Sequence, residues 1–101
     1  RRTSPSGKAI AMLRTTLGLT IGDFADALGV HQSSVYRWES VPRPILRRPV
    51  AELLRKLQDL PPDELREIGG AVAQACLAGN RLEAASLLFT AVRLPLEGSP
   101  R

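Results

Sequence analysis

The chain has 101 residues, of which 44% are hydrophobic and 24% are charged, which fits one compact domain or two very small ones and excludes a globally disordered chain. The absence of any run of 18 apolar residues excludes a membrane-spanning helix, and a single His with a single Cys excludes a His-pair metal site and an internal disulfide. Residues 1–57 carry ten Lys and Arg against four Asp and Glu, whereas residues 58–101 carry four against six, so we expect only the first part to meet a polyanion such as nucleic acid.

Three helices are predicted in the first forty residues, because apolar residues recur at helical spacing and no segment alternates with period two. The first helix spans residues 7–17 and ends at Gly18. The second begins after Thr20, which is a suitable N-cap, and ends at Gly29. The third spans residues 32–40 and is separated from the second by only a short turn.

Three more helices are predicted after the segment VPRPILRRP at residues 41–49, whose three prolines exclude a regular helix. They span residues 49–60, 62–78 and 81–92. The fifth helix contains Gly69 followed by a second glycine, and this pair predicts either a kink or a close contact with another helix.

The expected fold is therefore all-α, a bundle of five to six helices. We expect residues 1–60 to form an N-terminal domain and residues 61–95 to form an αα-hairpin. Residues 96–101, which end in EGSPR, are expected to form a flexible tail.

The spacing within residues 21–40 is typical of a helix-turn-helix. Counted from the first of these residues, Ala25 stands at position five, Gly29 at nine, Val35 at fifteen and Trp38 at eighteen. A small residue allows the two helices to approach closely, and glycine adopts the left-handed backbone that a sharp turn between them requires. The two later apolar residues are expected to pack the third helix onto the second.

Residues 8–40 resemble the Cro/C1-type (XRE) helix-turn-helix family, through the segments AMLRTTLGLT, DFADALGV and SSVYRWE. The resemblance implies a lambda-repressor-like fold and a DNA-binding function in which the third helix is the recognition helix. The positions that contact bases in relatives fall on Gln32, Ser33 and Arg37. A hydroxyl that touches phosphate in relatives matches Ser34.

The third helix also has the side-chain chemistry that base recognition needs. Gln32, Ser33, Tyr36 and Arg37 share the face opposite the apolar residues, and this face carries no acid. Arg can donate two hydrogen bonds to guanine, and Gln can pair with adenine, in a major groove about 12 Å wide. We therefore predict base contacts at these four residues. The alternatives are a merely solvated helix face and, for Tyr36, packing against the proline-rich loop.

Phosphate contacts are predicted around this helix, where hydroxyl, imidazole and guanidinium groups are available. The residues are Thr20, His31, Ser34, Arg43, Arg47 and Arg48. His31 has an alternative role as a plain capping residue, and the three arginines have one as a solvated basic loop. Arg1, Arg2 and Lys8 are weaker candidates for a basic arm that follows a groove.

The hairpin of residues 61–95 is rich in apolar residues although a two-helix hairpin encloses no core of its own. Since helix-turn-helix repressors bind twofold sites as dimers, we expect the hairpin to be a dimerisation element with Leu88 or Phe89 near the axis. The predicted interface residues are Leu82, Leu87, Leu88, Phe89 and Val92. The alternatives are packing within one chain and docking of another protein, such as a toxin.

The sequence contains none of the common catalytic motifs, so we expect no enzymatic activity, no cofactor and no metal. The leading hypothesis is a sequence-specific transcriptional regulator, a homodimeric repressor that reads a palindromic operator in double-stranded DNA. The alternatives are an antitoxin-type protein and a protein-interaction module that does not bind DNA. We expect the protein in the cytoplasm of a bacterium, associated with the nucleoid or encoded by a phage.

Overall fold

The computed structural model describes residues 5–94, and all regular secondary structure in this range is helical. The expected all-α fold is confirmed, with six helices and no strand among the described residues. The helices are α1 (Gly7–Leu17), α2 (Ile21–Leu28), α3 (Gln32–Ser40), α4 (Arg48–Gln58), α5 (Pro62–Leu77) and α6 (Arg81–Ala91). The predicted arm at Arg1 and Arg2 and the predicted tail of residues 96–101 lie outside the described part.

The helix ends follow from local chemistry. The side-chain oxygens of Ser6 and Thr20 each accept a hydrogen bond from a backbone N–H in the first turn of the helix that follows, at 3.1 Å in both cases. Asn80 caps α6 in the same way, through the N–H of Glu83. Gly29 ends α2 with a φ of 74°, which glycine adopts without a steric penalty. These caps explain why sequence reasoning placed the helices within about two residues of their observed bounds.

One hydrophobic core joins all six helices. Each helix contributes at least one fully buried side chain to it, for example Ile10, Phe24, Val35, Leu53, Val72 and Leu88. The antiparallel pair α5 and α6 lies across α1 and α2, so the hairpin covers apolar surface that the first helices present.

The placement of Leu88 and Phe89 corrects one expectation. Both side chains are predicted interface residues, with one or the other near the dimer axis, but their exposed fractions are 0% and 4% and they belong to the core of a single chain. The hairpin buries its strongest apolar residues against α1 and α2, because that intramolecular surface is available to it without a partner.

The glycine pair in α5 produces a close helix contact. A Cβ atom at Gly69 would overlap the backbone carbonyl of Leu17 at the C-terminal end of α1, whereas one at Gly70 would meet nothing within 4 Å. α5 is one helix from Pro62 to Leu77, and of the two glycines it is Gly69 that allows the contact between helices. No helix in the described part of the chain is long and apolar enough to cross a membrane.

Candidate nucleic-acid interface

α2, the glycine turn and α3 form the helix-turn-helix. The N–H of Val30 donates to the carbonyl of Ala25 at 3.0 Å, which completes the left-handed cap at the end of α2. Phe24, Val35 and Trp38 are buried, and they fix the angle between the two helices. The buried side of α3 is therefore the side predicted from the spacing.

The opposite side of α3 brings the four predicted base-contacting residues to the surface. Gln32, Ser33, Tyr36 and Arg37 are all exposed, and Tyr36 is 60% exposed. Packing of Tyr36 against the proline-rich loop is not what the structure shows. These positions follow the i, i+1, i+4, i+5 pattern, so they form one continuous face of the helix.

The first turn of α2 lies beside this face. A Cβ atom at Gly22 would lie 3.3 Å from Oε1 of Gln32 and 4.0 Å from Oγ1 of Thr20. The small residue therefore leaves room for the Gln32 amide between the two helices. Thr20 and Gln32 lie on one side of the molecule, although Thr20 also serves as the N-cap of α2.

His31 is the N-cap of α3, so the capping role weighed for it is confirmed. Its Nδ1 accepts a hydrogen bond from the N–H of Ser33 at 3.1 Å and lies 2.9 Å from Oγ of the same residue. An Nδ1 that accepts a backbone hydrogen bond leaves the proton of the neutral ring on Nε2. The Nε2–H of His31 is therefore available to a phosphate oxygen or a base edge outside the protein.

The three arginines after α3 are exposed. Arg43 lies on the proline-rich loop, Arg47 is the residue before α4, and Arg48 is the first residue of α4. A shallow concavity of about 280 Å³ joins the loop to α3, and Arg37 and Arg43 both contribute to its lining. Ser34 is half-buried.

An ion pair that sequence reasoning did not assign holds α3 against α1. Nε of Arg14 donates to Glu39 at 2.7 Å and a terminal nitrogen of the same guanidinium donates to the other carboxylate oxygen at 3.2 Å. The remaining terminal nitrogen donates to the carbonyl of Leu19 at 2.9 Å. The two partners are 25 residues apart in the chain, so no local spacing in the sequence signals the pair.

The predicted dimer residues fall into two groups. Leu82 is 71% exposed, and Leu87 and Val92 are half-buried, whereas Leu88 and Phe89 are in the core as described above. Leu87 lines a shallow groove of about 460 Å³ between α5 and α6, together with Ile68.

Cys76 has two carboxylates beside it. Its Sγ and the carboxylates of Asp23 and Asp26 lie within 4.8 Å of one another, and its thiol is 3.8 Å from the carbonyl of Asp23. Burial raises the pKa of the Cys76 thiol, and the two carboxylates raise it further. The neutral thiol is favoured, which fits an inert packing role better than that of a thiolate ligand.

Comparison with known proteins identifies the first part of the chain. The family described as helix-turn-helix domain matches residues 7–68, which includes α1 to α4 and the start of α5. No curated protein and no solved structure matches the chain significantly. The family match confirms the helix-turn-helix and is consistent with the Cro/C1-type resemblance of residues 8–40. The chain belongs to this family of helix-turn-helix domains.

Proposed function

We propose that this protein is a sequence-specific DNA-binding transcriptional regulator that reads base edges in the major groove with α3. The observation that carries the proposal is the exposed, acid-free face of Gln32, Ser33, Tyr36 and Arg37 on the second helix of a helix-turn-helix. A helix in this position can enter a major groove about 12 Å wide, where each base pair presents a distinct set of donors and acceptors.

Each side chain of this face has a chemical role in the proposal. Arg37 donates two hydrogen bonds to O6 and N7 of a guanine, and Gln32 pairs with N6 and N7 of an adenine. Ser33 and Tyr36 supply hydroxyl groups to neighbouring base edges. The phosphates on either side of the groove are contacted by Thr20, His31, Ser34, Arg43, Arg47 and Arg48, which fix the register of the helix without reading sequence.

We further propose that the protein acts as a homodimeric repressor in the cytoplasm. A twofold dimer would place two recognition helices about 34 Å apart, one turn of DNA, and the dimer would repress by covering a promoter. The hairpin of residues 61–95 supplies the dimer surface in this proposal. Leu82, Leu87 and Val92 are the predicted interface residues that retain exposed surface for it.

The test begins with selection of bound sites from random duplex DNA, which reports both the operator and its symmetry. Arg37→Ala should then weaken binding to the selected site by about 1–3 kcal/mol and relax the preference at one base pair of each half-site. Arg43→Ala is the matched control, since it removes the same charge from a loop that is expected to touch only phosphate. Arg43→Ala should weaken binding to selected and random DNA alike. It should also reduce the magnitude of the slope of log K against log salt concentration by about one.

Three results would contradict the proposal. Equal losses on selected and random DNA for Arg37→Ala would reduce Arg37 to a phosphate contact. A complete absence of salt-sensitive DNA binding would favour the interaction module, and capture of a toxin through the hairpin would favour the antitoxin.

A further inference from the structure

The N-terminal end of α6 lies beside the turn of the helix-turn-helix. α6 packs along α2, and between them lies an open concavity of about 590 Å³. One wall is the turn at residues 29–31, which includes the N-cap of the recognition helix. The other wall includes Arg81 and Leu82, the first two residues of α6. The hairpin therefore reaches the edge of the proposed DNA-binding face.

Arg81 differs from the other described arginines of the hairpin. Arg66 donates to the carboxylate of Asp63 at 2.6 Å, which neutralises its charge locally. Arg93 lies beyond the far end of α6, about 16 Å along the axis of an 11-residue helix. Arg81 is exposed, and no ion pair joins it to a carboxylate of the described residues.

The only acidic residue that lines the concavity is Asp26. The carboxylate of Asp26 also lies within 4.8 Å of the thiol of Cys76 and the carboxylate of Asp23. Asp26 therefore takes part in the contact between α2 and α5 as well as in the lining of the concavity. The guanidinium of Arg81 lies on the α6 wall and the imidazole of His31 lies on the turn wall, and both side chains are exposed. Two hydrogen-bond donor groups thus line the concavity from its two walls, next to the first turn of α3.

We propose that Arg81 binds a DNA phosphate and that the hairpin extends the DNA interface beyond the helix-turn-helix. The inference rests on the function proposed above, because it needs α3 to lie in the major groove. A recognition helix in the groove is flanked by phosphates, and groups beside its N-terminal end are those that meet the backbone at that edge. Arg81 is such a group, and it shares its concavity with the N-cap of that helix.

DNA suits this concavity better than a protein partner because the surface is continuous with the exposed edge formed by His31, Gln32 and Ser33. The assignment also changes the role of the hairpin. Its net negative charge suggested that it faces protein alone, whereas a single well-placed arginine is sufficient for one phosphate contact.

The experiment compares Arg81→Ala with Arg93→Ala in the full chain, on a random-sequence duplex over a series of KCl concentrations. The two variants lose the same charge from the same hairpin, so a general effect of net charge changes both equally. Arg81→Ala should make the negative slope of log K against log salt concentration shallower by about 0.9, the value for one phosphate contact. Arg93→Ala should leave the slope unchanged. Thermal unfolding of both variants should match the parent, because both side chains are exposed.

Every other outcome overturns the inference. Equal slopes for Arg81→Ala, Arg93→Ala and the parent would remove Arg81 from the interface while leaving the proposed function intact, because the parent would still bind DNA. If Arg81→Ala leaves the slope unchanged but is monomeric in sedimentation velocity where the parent is dimeric, the concavity binds a second copy of the chain instead of DNA. A parent that shows no salt-sensitive binding would overturn both proposals together.

Discussion

The guanidinium of Arg14 joins α1 to the recognition helix without touching the proposed DNA face. Its side chain is 20% exposed and that of Glu39 is 13% exposed, so water screens this pair less than a surface pair. All three guanidinium nitrogens donate a hydrogen bond, two to Glu39 and one to the carbonyl of Leu19. The arginine therefore fixes α3 and the turn before α2 with one group.

Removal of this group should destabilise the fold. Arg14→Ala leaves a largely buried carboxylate at Glu39 and an unpaired carbonyl at Leu19, so we expect the free energy of unfolding to fall by about 1–3 kcal/mol. Arg66→Ala is the control, since its pair with Asp63 is exposed and should change stability by less than about 1 kcal/mol. Urea denaturation of both variants measures the difference in the free energy of unfolding. Equal midpoints would show that the pair of Arg14 with Glu39 stabilises the fold no more than the exposed pair of Arg66 with Asp63.

The exposed face of α3 that is proposed to contact bases was predictable from sequence at this scale, and the ion pair was not. Gln32 and Arg37 reach the surface because Val35 and Trp38 must be buried, and a helical period of 3.6 then decides the exposed side. The pairing of Arg14 with Glu39 depends on how two helices cross, which no local spacing encodes. The cluster of Cys76 with Asp23 and Asp26 was not predictable for the same reason, because α5 and α2 meet only in the folded chain.

The contact between α1 and α5 depends on the missing side chain at Gly69. A Cβ there would overlap the carbonyl of Leu17, and a backbone atom at a helix end has little freedom to move aside. Two helices that approach this closely gain packing along their whole contact, which offsets the lower helix propensity of glycine.

Adjacent glycines give this contact a matched test. Gly69→Ala should lower the free energy of unfolding by about 1–3 kcal/mol, because α5 must move away from α1. Gly70→Ala, one residue along the same helix with open space around it, should raise the free energy of unfolding by up to about 1 kcal/mol through helix propensity. Thermal unfolding reports both changes. An increase in both variants would mean that α5 can shift without loss of packing.

The helices themselves were predictable because caps, glycines and prolines mark their ends. The packing of the hairpin was not, and α6 shows the reason. Leu82, Leu87, Leu88 and Phe89 surround this helix rather than forming one stripe, so the sequence does not indicate which of them faces the core. The contact with α2 in the folded chain buries Leu88 and Phe89 and leaves the other side of α6 exposed.

At the scale of the whole molecule, the shared core means that the hairpin and the helix-turn-helix should unfold together. Leu88→Asp places an unpaired carboxylate in this core, at a cost of several kcal/mol, which is a large part of the stability of a small domain. We expect the entire chain to unfold. Circular dichroism of the purified variant measures this, and a folded, monomeric Leu88→Asp protein would restore Leu88 to a dimer interface.

Leu82→Asp supplies the control on the same helix. The side chain is 71% exposed, so the variant should keep its helical content and its unfolding temperature. If the hairpin forms the proposed dimer, this variant should be monomeric in sedimentation velocity at a concentration where the parent is dimeric. A parent that is monomeric at micromolar concentration without DNA would show that the hairpin is not a constitutive dimerisation element.

The burial of Trp38 gives the protein an intrinsic optical probe. It is the only tryptophan of the chain, it lies in α3, and it is only 8% exposed. Excitation near 295 nm therefore reports on α3 alone, with no label attached to the surface proposed to meet DNA. Loosening of α3 should shift the emission to longer wavelength as water reaches the indole. Rapid mixing with DNA would then time any rearrangement of this helix separately from the binding step itself.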